Sequence, residues 1–141
     1  MNGIFQNDIH VKAIEEWENA TALNITKAQH KQLYQLAIFT ILKRANHTLS
    51  NVTLKTINDR VLYQCTERFP VISSIQLHSF EMIFDEFNIN ANNYSEDEQI
   101  EALRYLLTEE LRVLGRIAAD ILTAPLHQEL LKVIWNDSEQ S

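Results

Sequence analysis

Residues 88–99, NINANNYSEDEQ, carry side-chain oxygens at the spacing of a calcium-binding loop. An EF-hand loop takes its ligands from positions 1, 3, 5, 7, 9 and 12, and position 12 is a bidentate glutamate. With Asn88 at position 1, asparagines also fall at positions 3 and 5, Glu96 falls at position 9 and Gln99 at position 12. Helices are expected on both sides, so the spacing of this stretch is compatible with a metal loop.

The charges of the same stretch do not suit calcium. Position 1 is normally aspartate, and the amide of Gln99 cannot supply a bidentate carboxylate. Glu96 would be the only anionic side-chain ligand. The pattern is more typical of one helix ending and a second beginning, with Ser95 and Glu98 forming a capping box. We therefore expect no metal in this loop.

His78, Glu81 and Asp85 form a second group that could do chemistry. They are three and four residues apart, so a helix over 74–87 would place them on one face. Such a face is a weak candidate for a metal site or for acid–base catalysis, although a hydrogen-bonded surface histidine is the more common outcome. No other histidine has a helical metal-ligand spacing, and two glycines in the whole chain are too few for a phosphate-binding loop. We expect no cofactor and assign no catalytic residue.

Hydrophobic periodicity predicts an all-α fold, a single-domain irregular bundle of about five to six helices. Thr26, Thr53 and Ser95 are the expected N-caps of three of them. Pro125 belongs in the first turn of the last helix, which Thr123 would cap. The predicted helices are 8–20, 27–46, 53–68, 74–87, 95–122 and 124–135. The domain would span 1–141, with a frayed tail at 136–141.

Composition limits the class of protein and its environment. Cys65 is the single cysteine and falls on an apolar stripe, which indicates packing and not nucleophilic chemistry. The N-terminus has no basic region followed by a long apolar run, so we expect a cytoplasmic protein. The most apolar stretch, residues 33–42, is too short to cross a bilayer, and we expect no membrane association.

The net charge of −7 is concentrated in one part of the chain. Residues 81–110 hold nine acidic side chains and one basic side chain, Arg104. Such a surface suits docking of a basic partner, whereas it opposes binding to nucleic acid; the scattered lysines and arginines of the N-terminal half make no basic footprint either. The candidate partner-binding residues are Glu81, Asp85, Glu86, Glu96, Asp97, Glu98, Glu101, Glu109 and Glu110.

Three functional hypotheses follow from these features. The first is a small acidic protein-interaction module, such as an inhibitor, an immunity-type protein or an adaptor, which docks a basic protein through residues 81–110. The alternative is a ligand- or metal-binding helical bundle, with or without enzymatic activity, that uses His78, Glu81 and Asp85. A homodimer is compatible with either, because the predicted helix over 95–122 is about 40 Å long and has surface to cover.

Overall fold

The computed structural model describes residues 2–21, 25–89 and 93–134, and within these it describes residues 2–8 and 118–124 by backbone alone. The predicted all-α fold is confirmed: the described chain is an irregular helical bundle with one very small sheet. Its helices are α1 (Asn2–Thr21), α2 (Lys27–Ala45), α3 (Asn51–Arg68), α4 (Asp85–Ile89) and α5 (Glu96–Leu131). A 3₁₀ turn (Pro70–Ser74) and two strands, β1 (Gln76–His78) and β2 (Glu81–Ile83), lie between α3 and α4.

Helix α5 is the centre of the bundle, because it packs against α1, α2 and α3. Its buried leucines meet the apolar faces of these three helices in one continuous core. Trp17 is the largest fully buried side chain of α1, and its indole Nε1 donates to the backbone oxygen of Val133 at 2.8 Å. This hydrogen bond joins α1 to the residues that directly follow α5, beside the core.

Two of the predicted N-caps are confirmed and one is wrong. Thr26 accepts from the backbone of Gln29 in a complete capping box at the start of α2, and Ser95 caps α5. Helix α3 is capped by Ser50 and not by Thr53. The backbone N–H of Thr53 instead donates to the Ser50 hydroxyl. Both residues have the right chemistry for a cap, and the earlier one adds almost another turn of helix.

The predicted helix over 74–87 is wrong, and an antiparallel hairpin stands in its place. Strands β1 and β2 pair with Leu77 opposite Met82. Ser79, in the two-residue turn between them, has a φ of 57°. On α3, the buried Asn58 side chain donates to the backbone oxygen of Phe80 at 2.7 Å. This tertiary hydrogen bond fixes the turn to α3 and overrides the helical spacing of the apolar residues.

The predicted break between helices 95–122 and 124–135 is also wrong, because α5 continues through Pro125 to Leu131. Proline removes one backbone hydrogen bond of the helix, and burial of apolar side chains further along the helix offsets that loss. Leu126 and Leu130 are buried in the core, and Gly115 is buried within the same uninterrupted helix. Helix α1 also differs from the prediction, since it begins at Asn2 and not near residue 8.

Within the ranges described above, none of the helices combines the length and the hydropathy needed to cross a membrane. The predicted frayed tail at 136–141 lies outside the described residues.

Candidate docking surface

The exposed acids of α4 and of the first turn of α5 lie at one end of the bundle. Buried Gln99 holds them there, because its Nε2 donates to the backbone oxygen of Phe87 at 3.1 Å. Its Oε1 accepts from the ammonium group of Lys31 at 2.9 Å, so α2 joins the same junction. We call this surface the acidic end; it consists of Asp85, Glu86, Glu96, Asp97, Glu98 and, one turn further along α5, Glu101.

Two lysines of α2 neutralise only part of the acidic end. The ammonium group of Lys27 lies 3.0 Å from Asp97, and that of Lys31 lies 3.6 Å from Glu96. The Lys31 side chain is only 12% exposed, so its position is set by packing as well as by charge. No described lysine or arginine lies within ion-pair distance of the other four carboxylates. Those four are therefore the part of the acidic end that a partner's cations could contact.

Arg104, the single basic residue in 81–110, lines a cavity together with Glu101 but forms its ion pair with a residue of α1. Its guanidinium group binds Glu18 of α1, with Nε 2.8 Å from Oε2. Tyr34 of α2 donates its hydroxyl to the same carboxylate. Burial, followed by the hydrogen bond to Glu18, raises the pKa of Tyr34 above its usual range. The separate hydrogen bond between Arg104 and Glu18 raises the pKa of Arg104. This polar cluster joins α1, α2 and α5 and uses the arginine's charge internally.

Three of the predicted partner-binding residues are not part of the acidic end. Glu81 is half-buried in strand β2. Glu110 is 1% exposed, because α5 turns this position toward the core between Leu106 and Leu114. Glu109 is half-buried, and its carboxylate lies 2.6 Å from Nη1 of Arg112. The surface proposed from the sequence therefore ends at Glu101, and Glu110 is corrected to an interior residue.

His78, Glu81 and Asp85 do not share a helix face. His78 and Glu81 are directly opposite each other in the hairpin, and Asp85 begins α4. The structural basis of that weak metal candidate, a continuous helix over 74–87, is absent. Within the described ranges, no three histidine, cysteine, aspartate or glutamate side chains are grouped as metal ligands would be.

Buried Glu110 is the least expected feature of the interior. Neither of its carboxylate oxygens has a hydrogen-bond partner in the described part of the chain, and burial raises its pKa to about 8. Cys65 of α3 faces this region, and its pKa is raised to about 12 by burial, then by Glu109 and Glu110. A thiol with such a pKa is protonated and unreactive at neutral pH, which agrees with a packing role.

His10 and His127 form a pair that the sequence does not suggest, since 117 residues separate them. Nδ1 of His10 lies 3.0 Å from Nε2 of His127, so one neutral imidazole donates to the other. Burial, then the charges of His127 and Arg112, lower the pKa of His10 to about 4. Burial also lowers the pKa of His127, and the negative charge of Glu16 partly opposes this lowering. The pair fastens α1 to the last turns of α5. The signal in the sequence was weak: each histidine falls beside a buried apolar stripe.

The chain has no recognisable relatives in the comparisons with known proteins: no family model matches it, and no curated protein or solved structure is significantly similar to it. Functional inference therefore depends on the arrangement of the chain's own residues.

Proposed function

We propose that this protein is a small helical interaction module that docks a basic protein through its acidic end. The observation that carries the proposal is the distribution of charge there. Asp85, Glu86, Glu98 and Glu101 are exposed and make no ion pair with a described lysine or arginine, while Arg104 is bound to Glu18. An inhibitor, an immunity-type protein or an adaptor would use such a surface.

The rigidity of the acidic end favours recognition of a partner over simple solubility. Gln99 ties α4 to α5 and to Lys31, and Gln35 of α2 exchanges hydrogen bonds with Asn88 of α4. A preorganised set of charges loses little conformational entropy on binding. The field of such a surface accelerates encounter with a positively charged protein, and the effect declines with salt.

Ile89 indicates what else the partner should carry. It ends α4, next to the acids, and 73% of its surface is exposed. Binding energy in protein interfaces is concentrated in a few buried side chains, and charged residues around them supply orientation and speed. The fitting partner is therefore a surface on which lysines or arginines surround an apolar residue.

A titration with a basic peptide tests this proposal directly. The probe is a lysine- and arginine-rich peptide with a central leucine, added to isotope-labelled protein and followed by NMR. We expect chemical-shift changes at 85–89 and 96–101, with binding that weakens as salt increases. Reversing two charges with Glu86→Lys and Glu101→Lys should weaken binding about tenfold or more, since each exposed contact contributes about 0.2–1 kcal/mol and is replaced by repulsion.

The matched control for that titration reverses two exposed acids of α3, Asp59→Lys and Glu67→Lys. Both variants have the same net charge, so only the position of the change differs. Equal weakening by the two variants, or shifts spread evenly over the surface, would show that the peptide responds to net charge alone. The proposal would then fail.

Location and self-association remain proposals as well. A cytoplasmic setting suits a chain whose single cysteine, Cys65, is a buried free thiol. The homodimer stays a prediction, and a light-scattering mass of one chain, 16.4 kDa, would exclude it.

A further inference from the structure

A groove separates α3 from the second half of α5. The two helices run antiparallel. The Phe69 ring, just after α3, contacts the Tyr105 ring in the first half of α5, whereas Ile57, near the start of α3, lines the groove together with Ile117, further along α5. The cavity has a volume of about 480 Å³. This is within the range of small-molecule sites, which are typically about 300–1,000 Å³.

The floor of the groove is aliphatic. Ile57 and Val61 of α3 face Val113 and Ile117 of α5, and each pair is one helical turn apart. Ile117 is 51% exposed, although its neighbours nearer the core are buried or partly buried. The four side chains form two short rows that a linear apolar chain could cover along its length.

The rim of the groove is cationic. Arg60 and Arg116 line it and are exposed, and no described carboxylate lies within ion-pair distance of either. Among the side chains that the structure describes, no acidic one lines the groove. In a protein with a net charge of −7, two arginines beside an aliphatic floor provide charge complementarity for an anion with an apolar body.

We propose that this groove binds a single-chain amphiphile with an anionic headgroup, of which a medium-chain fatty acid is the simplest example. The alkyl tail lies along Ile57, Val61, Val113 and Ile117, and the carboxylate is bound by Arg60 and Arg116. This site is on α3 and the second half of α5, away from the acidic end, and it does not depend on the proposed docking function.

The experiment is an NMR titration of the full chain with decanoate, octanoate and decyltrimethylammonium. Decanoate should shift the signals of residues 56–64 and 113–117. Octanoate should bind more weakly, by about two- to fourfold per methylene removed. The cationic amphiphile has a tail one carbon longer and should still bind less tightly than decanoate, even though the net charge of the protein favours a cation.

Variants separate the two parts of the site. Arg60→Gln and Arg116→Gln should each weaken decanoate binding about three- to tenfold, whereas Arg44→Gln on α2 should not change it. Ile117→Glu should abolish binding, and its control Ile9→Glu, at a similarly exposed isoleucine of α1, should leave it intact. Both isoleucines are exposed, so neither change should unfold the protein.

Several results would overturn the proposal. These are the absence of shifts with decanoate, equal binding of the cationic amphiphile, binding indifferent to Arg60 and Ile117, or shifts concentrated at Leu36 and Phe39, an exposed apolar pair on α2. An acidic amphipathic peptide that binds the groove when decanoate does not would assign it to a protein partner instead.

Discussion

Glu110 places an ionisable group in the interior, where no described residue offers its carboxylate a hydrogen bond. Its folded-state pKa of about 8 lies above the ordinary value of 4.5, so between these values the folded protein holds a proton that the unfolded chain has lost. The free energy of unfolding must therefore decrease as pH rises from about 4.5 to 8. The full stabilising effect of the neutral carboxyl is present only at lower pH.

Glu110→Gln should remove that pH dependence, because the amide cannot ionise. We expect the variant to be more stable than the wild-type protein by up to about 4–5 kcal/mol at pH 8 to 9 and similar to it near pH 4.5. Urea unfolding across this pH range measures the difference. Glu101→Gln, an exposed change on the same helix, should keep the wild-type slope. A Glu110→Gln variant that is less stable at every pH would show that the carboxylate has a stabilising partner.

The His10–His127 pair should produce the opposite slope at lower pH. The pKa of His10 is lowered from 6.5 to about 4, so in this interval the unfolded chain binds more protons than the folded protein. Stability must therefore increase as pH rises from about 4 to 6.5, and it is lost on acidification through that interval. The groups that face the pair are Arg112, whose charge lowers the pKa of His10, and Glu16, which raises that of His127.

We expect His127→Gln to reduce the loss of stability between pH 6.5 and about 4 by roughly 1–2 kcal/mol. The measurement is best made in the Glu110→Gln background, where the opposing slope is absent. Exposed His47→Gln serves as the control. If the two histidine variants give the same dependence of stability on pH, the His10–His127 pair does not control the loss of stability on acidification.

At the scale of elements, the sequence supported the long helices and failed at the hairpin. Helices α2, α3 and α5 follow from apolar periodicity and from serine and threonine caps, which are local signals. The hairpin over 76–83 depends on the distant hydrogen bond from Asn58 to Phe80, and its turn lacks glycine, the residue that favours positive φ. Continuation of α5 through Pro125 depends on packing against α1, which is also non-local.

The same limit applies to the candidate site. Charge patterning indicated the acidic surface, and helix periodicity indicated that α5 has a buried face. The charge of Glu110 led to its assignment to the surface, although Leu106 and Leu114, four residues to either side, place position 110 on the buried face of α5. The pairing of Arg104 with Glu18 and of His10 with His127 required the tertiary structure, since each spans most of the chain.

Ser79 provides a test of the hairpin that replaces the predicted helix. Its φ of 57° is unfavourable for residues with a Cβ atom and is free of strain for glycine. Ser79→Gly should therefore stabilise the protein by about 0.4–1 kcal/mol, and Ser79→Ala should destabilise it slightly. Chemical unfolding of both variants measures this order. If alanine is the more stabilising substitution, as a helix over 74–87 would require, the hairpin is wrong.

At the scale of the whole molecule, charge and apolar surface are separated. The acidic end is formed by α4 and the start of α5, and the groove with the exposed Arg60 and Arg116 lies between α3 and the second half of α5. The first surface would attract a basic protein, and the second would accept an anionic amphiphile. Because they share only the rigid helix α5, each proposal can fail without the other.

The most direct measurement of the central claim is quantitative capture of partners from the native host with three matched baits. These are the wild-type protein, the Glu86→Lys/Glu101→Lys variant and the Asp59→Lys/Glu67→Lys variant, each at about 50 mM and about 300 mM salt. We predict a basic protein retained by the wild type and the α3 variant, lost from the acidic-end variant and weakened at the higher salt. Capture by all three baits alike, or a partner insensitive to both salt and charge reversal, would contradict docking through the acidic end.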